Sequence, residues 1–390
     1  MIILLRNMKN VRKINLVYSS AFFGDALFSP FIALYLISIG FSDYERGILL
    51  AVIPICTIIG NFIYGKLSSS LKRNFFLLKI LSLVNSLVII LFGLTKDFYL
   101  LLILTILFGL HNSSYFSIQD GVGVTICEEE KKIYSRTRMF GSLGYCIALL
   151  SGSYLVSLLD YRYIFIIAGT FFFLINVIAL FIKLPVQEKI IEKEDIKYKD
   201  LFKNKTFVLY SLFYLLVNGI WVIGEAYTST YFNYLEVKDS TYSLMYGIQV
   251  GIEIVVIFIC SLLIKKKFNI KLLLLISCIA ISLRYLLLGT NLSPLTLMII
   301  TSLLRGIGWG GFLSSHLLLV KKVLGISLTT KGITFLAIIT NLLGSIGNFF
   351  APYIYLNISF RWLYLIFGFI QIIGTIILSR INFELIKEEK

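Results

Sequence analysis

Charge is scarce in this sequence. Only 15% of its 390 residues are Asp, Glu, Lys or Arg, against about 25% in soluble globular chains. Apolar residues fill the gap at 58%, and the mean hydropathy is +0.89. That balance excludes an ordinary soluble domain. Histidine occurs only twice, at His111 and His316. Two isolated imidazoles make no ligand spacing, so both read as hydrogen-bonded helix residues and no metal site is implied. The five cysteines (Cys56, Cys127, Cys146, Cys260, Cys278) contain no CxxC pair. They read as apolar filler rather than ligands or disulfide partners. No nucleophile–base constellation and no phosphate loop is present, so neither an enzyme nor a bound cofactor is expected. Strand-like alternation is also missing, which excludes a membrane β-barrel.

What the chain does have is long apolar runs. A helix needs about 20 apolar residues to cross the hydrocarbon. Twelve such runs occur, at roughly 14–38, 46–65, 75–94, 98–126, 137–158, 162–183, 206–235, 241–264, 271–289, 295–320, 331–353 and 361–380. The first is too long for a signal-peptide core and no small-x-small cleavage site follows it, so it reads as a span. The net charge of +15 suggests nucleic acid at first sight, but its distribution argues against that partner. One set of loops and both termini hold about 27 Lys and Arg, and the opposite loops hold five: Arg46, Lys96, Arg162, Lys238 and Arg361. The positive-inside rule then predicts a multi-pass protein of the cell inner membrane with both termini in the cytoplasm.

The two halves of the chain resemble each other. "GDALFSPF" (24–31) matches "GEAYTSTY" (224–231), "TRMFGSLG" (137–144) matches "TNLLGSIG" (340–347), and "RYIFIIAG" (162–169) matches "RWLYLIFG" (361–368). Gly47-Ile48 likewise matches Gly247-Ile248, so the offset stays near 200 throughout. Duplication predicts an all-α membrane protein of two six-helix bundles, 1–184 and 206–390, joined by a polar cytoplasmic linker, 185–205. Six plus six parallel repeats is the architecture of major facilitator superfamily (MFS) transporters.

An ionised side chain at the centre of a membrane helix costs about 2.5–3.5 kcal/mol, so it marks a partner or a watery cavity. Seven candidates stand inside the predicted spans: Asp25, Asp120, Arg138, Glu225, Glu253, Arg284 and Arg305. Asp120 and Arg138 are equally far from the charged turn near Glu129, so an antiparallel hairpin sets them at one depth. A guanidinium bonds a carboxylate with specific geometry. The pair reads either as a substrate site or as a static ion pair that orders the hairpin. Gly141, Ser142 and Gly144 read as a packing seam, because small residues let helices approach closely. Asp25 and Glu225 are repeat partners near the midplane. Glu225, Glu253 and Asp25 are candidate proton carriers, and Arg284 and Arg305 are candidate counter-charges, with Arg284 expected nearer a span end. Tyr145 and Trp221 lie a turn or two from these charges and could stack on a ring.

"SRTRMFGSLGY" (135–145) resembles the start of the fifth span of lactose permease and of the phenylpropionate permease-like and nucleoside permease-like proton symporters. The resemblance implies a substrate-binding arginine at Arg138, its acidic partner at Asp120, and a ring-stacking aromatic at Tyr145. "SDYERGILLAVI" (42–53), "IWVIGEAYTSTYF" (220–232), "GIQVGIEIVVIF" (247–258) and "ISLRYLLLG" (281–289) are similar to the second, seventh, eighth and ninth spans of that group. The sugar permease's coupling His and Glu fall on Gly306 and Trp309, which do not titrate. Its proton route therefore does not transfer, and Glu225 or Glu253 near Arg284 is expected to carry any proton. The loop after the second span also lacks the usual MFS acidic residue.

The expectation is a secondary active transporter, a monomer driven by the proton gradient. It moves a small polar organic solute (a sugar, a nucleoside or an aromatic acid) by symport and alternating access. Export by proton antiport uses the same carboxylates. A non-transporting membrane sensor on this scaffold is the third reading.

Overall fold

The computed structural model describes residues 8–68, 70–132, 134–184 and 198–383. Most of the expected linker, 185–197, lies outside them. Among the described residues, twelve helices are long and apolar enough to cross a membrane. In chain order, spans 1 to 6 are Asn10–Ser38, Asp43–Leu67, Leu71–Leu94, Phe98–Glu129, Arg136–Leu158 and Tyr161–Ala179. Spans 7 to 12 are Lys205–Tyr234, Asp239–Lys265, Ile270–Leu288, Pro294–Gly325, Lys331–Asn357 and Phe360–Arg380. They fall on the twelve expected segments. Their ends run further into polar sequence, because a helix can extend past the apolar run once its first N–H groups are capped.

The caps are written in short polar side chains. Ser42 opens span 2 with a capping box: its side chain accepts from Glu45 N–H, and the Glu45 carboxylate accepts from Ser42 N–H. Ser70, Asp97, Asn204, Asn269, Ser293 and Ser359 each accept a first-turn N–H of spans 3, 4, 7, 9, 10 and 12. Lipid satisfies no backbone group, so such caps let a span end where the hydrocarbon ends.

Spans 1 and 7 are irregular on opposite sides of their repeat-related acidic residues: the turn follows Asp25 in span 1 and precedes Glu225 in span 7. Span 1 is α-helical over Asn10–Ala26, passes through a 3₁₀ turn at Ser29–Phe31 that contains Pro30, and resumes at Ile32–Ser38. Span 7 holds a π-helical turn at Leu215–Gly219 before Ile220–Tyr234. Each irregularity lies within about two turns of the acidic residue of its span, Asp25 or Glu225. Local π and 3₁₀ departures recur at functional positions in helices.

The chain divides into two compact units: 1–193 with 238–247, and 194–237 with 248–390. Residues 238–247, at the start of span 8, pack in the first unit. There Ser243 Oγ donates to the Leu149 carbonyl at 2.8 Å, and the Tyr161 hydroxyl donates to Asp239. The small-residue seam lies within each unit. A Cβ on Gly144 would stand 2.6 Å from the Ser19 carbonyl oxygen of span 1, and one on Gly347 would stand 2.1 Å from the Ile223 Cδ1 of span 7. The seam expected at 141–144 thus presses span 5 onto span 1, and its repeat presses span 11 onto span 7.

Candidate functional site

The charged residues expected inside the membrane gather in separate places, two clusters and one lone carboxyl. In the first unit, Arg138 Nε stands 3.9 Å from Asp120 Oδ1. The contact is long, and 40% of the Arg138 side chain and 46% of Asp120 remain exposed. The two therefore sit at matching depth without locking each other in a bidentate pair. The Arg138 guanidinium lies over the Phe22 ring at 4.3 Å from its centroid, a cation–π contact that fixes its plane. Asp120 accepts from the Tyr18 hydroxyl at 2.7 Å, and that hydroxyl is 3.0 Å from the Tyr134 hydroxyl. Tyr18 is fully buried and holds the carboxylate, while Arg138 stays accessible. Tyr145 is seven residues beyond Arg138 on the same helix, about 10 Å along the axis and on nearly the same face.

The second cluster lies in the second unit and is tighter. Glu225 receives Arg284 Nη1 and lies 3.5 Å from Arg305 Nε, and Arg305 Nη1 donates to Glu253 Oε2 at 2.7 Å. Spans 7, 8, 9 and 10 each supply one member. Two carboxylates meet two guanidinia, so the formal charge is zero. Side-chain exposure is 2% at Arg284, 7% at Arg305, 16% at Glu225 and 15% at Glu253. Charges this buried persist only when paired. Arg284, expected nearer a span end, stands four residues from the end of span 9 at Leu288 and reaches Glu225 with its guanidinium.

Trp221 belongs to this second cluster rather than to Arg138. It stacks on Trp309 with centroids 4.4 Å apart and planes 2° off parallel, while Arg284 and Arg305 lie 5.3 and 5.7 Å from its ring centroid. One face of the indole is thus taken by Trp309. The stack continues along span 10 from Trp309 to Phe312 and His316, at 5.4 and 5.1 Å. His316 is accordingly a buried member of an aromatic column, packed also against Tyr214 at 5.3 Å. His111 keeps Nδ1 2.5 Å from the Leu107 carbonyl, one turn earlier on its own helix.

Asp25 stands apart from its repeat partner in chemistry as well as in place. It accepts from Ser29 at 2.8 Å and from Asn112 at 3.1 Å, both neutral. Asn112 in turn accepts from Asn85 at 3.3 Å. Among the described residues Asp25 makes no ion pair like those at Glu225, and no group of three His, Cys, Asp or Glu could hold a metal.

Several contributors carry little signal in the sequence. Tyr134 adjoins the "SRTRMF" motif, but Tyr18, Phe22 and Asn112 are ordinary membrane residues until folding brings them to Asp120, Arg138 and Asp25. Trp309 occupies a position where a titrating residue stands in the sugar permease. Here it supplies a ring instead.

The comparisons with known proteins agree with this architecture. Residues 12–366 match the family model described as MFS_1 like family. The uncharacterized transporter YwbF of Bacillus subtilis (strain 168) is 24% identical over 364 residues, covering 92% of this chain and 90% of that protein. A probable 3-phenylpropionic acid transporter of Escherichia coli (strain K12) is 26% identical over 157 residues, 40% of this chain and 41% of its own. The crystal structure of the nucleoside transporter NupG superposes with a TM-score of 0.79 at 13% identity, over 96% of this chain and 99% of that one. A bacterial homolog of the human lysosomal transporter Spinster, inward-facing and occupied, gives 0.72 at 14%, over 97% and 98%. Since the family match runs through all but the ends of the chain and the twelve spans form the same fold, this protein belongs to the MFS_1 like family and is a membrane transporter, not an enzyme.

Proposed function

We propose that this transporter is a proton-coupled symporter of a small polar organic solute, working as a monomer in the cell inner membrane with both termini in the cytoplasm. The observation that carries the reading is the contrast between its two charge clusters. Arg138 is half exposed and loosely paired, so its donors remain available to a solute. Asp120 is the acceptor that a solute's oxygen replaces. Tyr145 on the same helix face offers a ring to stack on. The Glu225–Glu253–Arg284–Arg305 group, with Trp221, is buried and neutral, so adding one proton there changes the balance of an ion network. A proton on Glu225 weakens its hold on Arg284 and Arg305 and frees the spans they join. Asp25, held by neutral donors, is a further carrier. A sugar, a nucleoside and an aromatic acid each offer both oxygens for Arg138 and a face for Tyr145. The partial likeness to a 3-phenylpropionic acid transporter supports the last of these.

The test is proton flux in proteoliposomes on adding sugars, nucleosides and aryl acids in turn, with no imposed gradient. Symport predicts inward proton movement with one class. Silence across the panel, from protein shown to be folded, overturns the symport reading for these solutes. Glu225→Gln and Glu253→Gln then locate the carrier: the one that matters retains solute exchange but loses proton-driven accumulation. Full accumulation in both removes them as carriers.

A further inference from the structure

A second polar feature lies wholly within the second unit, away from both clusters. Between the ends of spans 8, 9, 10 and 12 is a cavity of about 790 Å³. Four cations line it: Lys267, Lys271, Lys322 and Arg380. Among the described residues no carboxylate lines it, and Lys267, Lys322 and Arg380 make no ion pair. The positive-inside rule accounts for basic loops, but not for cations from three chain segments converging on one hollow. Lys271 is partly committed: its Nζ donates to the Ser379 and Ile381 carbonyls at 2.8 and 2.7 Å, closing the end of span 12. Lys267 sits in the turn between spans 8 and 9 with φ of 59°, a backbone choice that favours short polar residues or glycine. The turn thereby places Lys267 on the cavity wall.

The rest of the lining mixes polar Asn269, Ser379 and Asn382 with apolar side chains, of which Phe268 and Phe383 carry the largest rings. Phe268 is 38% exposed, and Leu272, four residues on, is 44% exposed. The hollow is therefore cationic inside and continuous with apolar surface outside. A free phosphate needs only the first property. A phospholipid uses both.

We propose that this cavity binds the headgroup of an anionic phospholipid from the leaflet facing the basic loops. Lys267, Lys322 and Arg380 contact the phosphate, and Phe268 lies along the acyl chains. Basic pockets between membrane helices at this level suit anionic headgroups. Occupancy ties the end of span 8 to the ends of spans 10 and 12.

Retention of phosphatidylglycerol by the full-length protein, in nanodiscs of mixed phosphatidylglycerol and phosphatidylcholine, is the measurement, read by native mass spectrometry after release into detergent. The full chain is required because residues 384–390 carry three glutamates and follow Phe383 directly. Lys322→Gln and Arg380→Gln are each expected to weaken retention about fivefold, the effect of one Lys or Arg near an anionic surface. Lys66→Gln, a basic-side change in the other unit, should leave it unchanged. Thermal melts confirm that each variant is folded, and the single changes keep the test readable should a double variant fail. Equal retention in all variants, an equal loss in Lys66→Gln, or full displacement of the lipid by excess inorganic phosphate would overturn the proposal.

Discussion

Arg284 shows what a single buried charge demands. Its side chain is 2% exposed, and it reaches Glu225 with one nitrogen while its Nε has no hydrogen-bond partner among the described residues. Removing one member of a buried pair costs roughly 3–5 kcal/mol, because the other charge is stranded. Arg284→Gln should therefore lower the melting temperature in detergent sharply. The double change Arg284→Gln with Glu225→Gln should recover part of that loss, since it strands less charge. Additive losses would mean that the two residues do not act as a pair. At Arg138 the expectation is reversed: the side chain is half exposed, so Arg138→Ala should leave stability nearly unchanged and abolish solute binding. Asp120→Asn should weaken binding less, since the amide can still accept from Tyr18. Normal binding by Arg138→Ala, measured by isothermal titration or transport competition, removes it from the site. Both roles began as one signal in the sequence, an ionised residue within an apolar run. Composition along the chain could not distinguish them, because the difference is the number of partners each finds in space.

Helix elements add a constraint that single residues do not. Span 5 lies so close to span 1 that Gly144 has a backbone oxygen, that of Ser19, where its side chain would be. A backbone cannot rotate aside, whereas the Ile223 side chain opposite Gly347 can change rotamer. Gly144→Ala should thus destabilise by about 1–3 kcal/mol, the usual cost of overpacking, and Gly347→Ala by less. Gly65→Ala, where a Cβ meets nothing within 4 Å, is the neutral control. Thermal shift in one detergent checks all three, and equal losses at Gly144 and Gly65 would refute the close-approach account. The repeat pairing of 137–144 with 340–347 made these seams visible before any coordinates, because small residues at matching places have few other uses in a membrane helix. The π turn at Leu215–Gly219 and the 3₁₀ turn at Ser29–Phe31 were less legible. Pro30 hints at the second; nothing in "LLVNG" marks the first. Pro30 cannot donate a helical hydrogen bond, which is a local cause for the 3₁₀ turn.

For the whole molecule, topology is the property most open to test. The asymmetry of about 27 against five Lys and Arg predicts that reporters fused to the C-terminus, and to the loop after span 6, report the cytoplasm. A reporter in the loop after span 3, near Lys96, should report the opposite side; the same side for both would invert or break the twelve-span order. This level was readable from the sequence alone: the number of spans, their lengths, the two-fold repeat and the polarity of the loops. Each follows from the price of placing polar groups in hydrocarbon, which acts on the chain segment by segment. The division of the seven intramembrane charges was decided only by tertiary structure. Glu225, Glu253, Arg284 and Arg305 come from four spans and become a neutral group because helix packing brings them within reach. Arg138 and Asp120, equally charged in the sequence, remain loosely joined and half exposed. Trp221 went to the Glu225 group and not to Arg138 for the same reason: an ion pair or a stacked ring depends on distances between spans, and a linear chain carries no such distance.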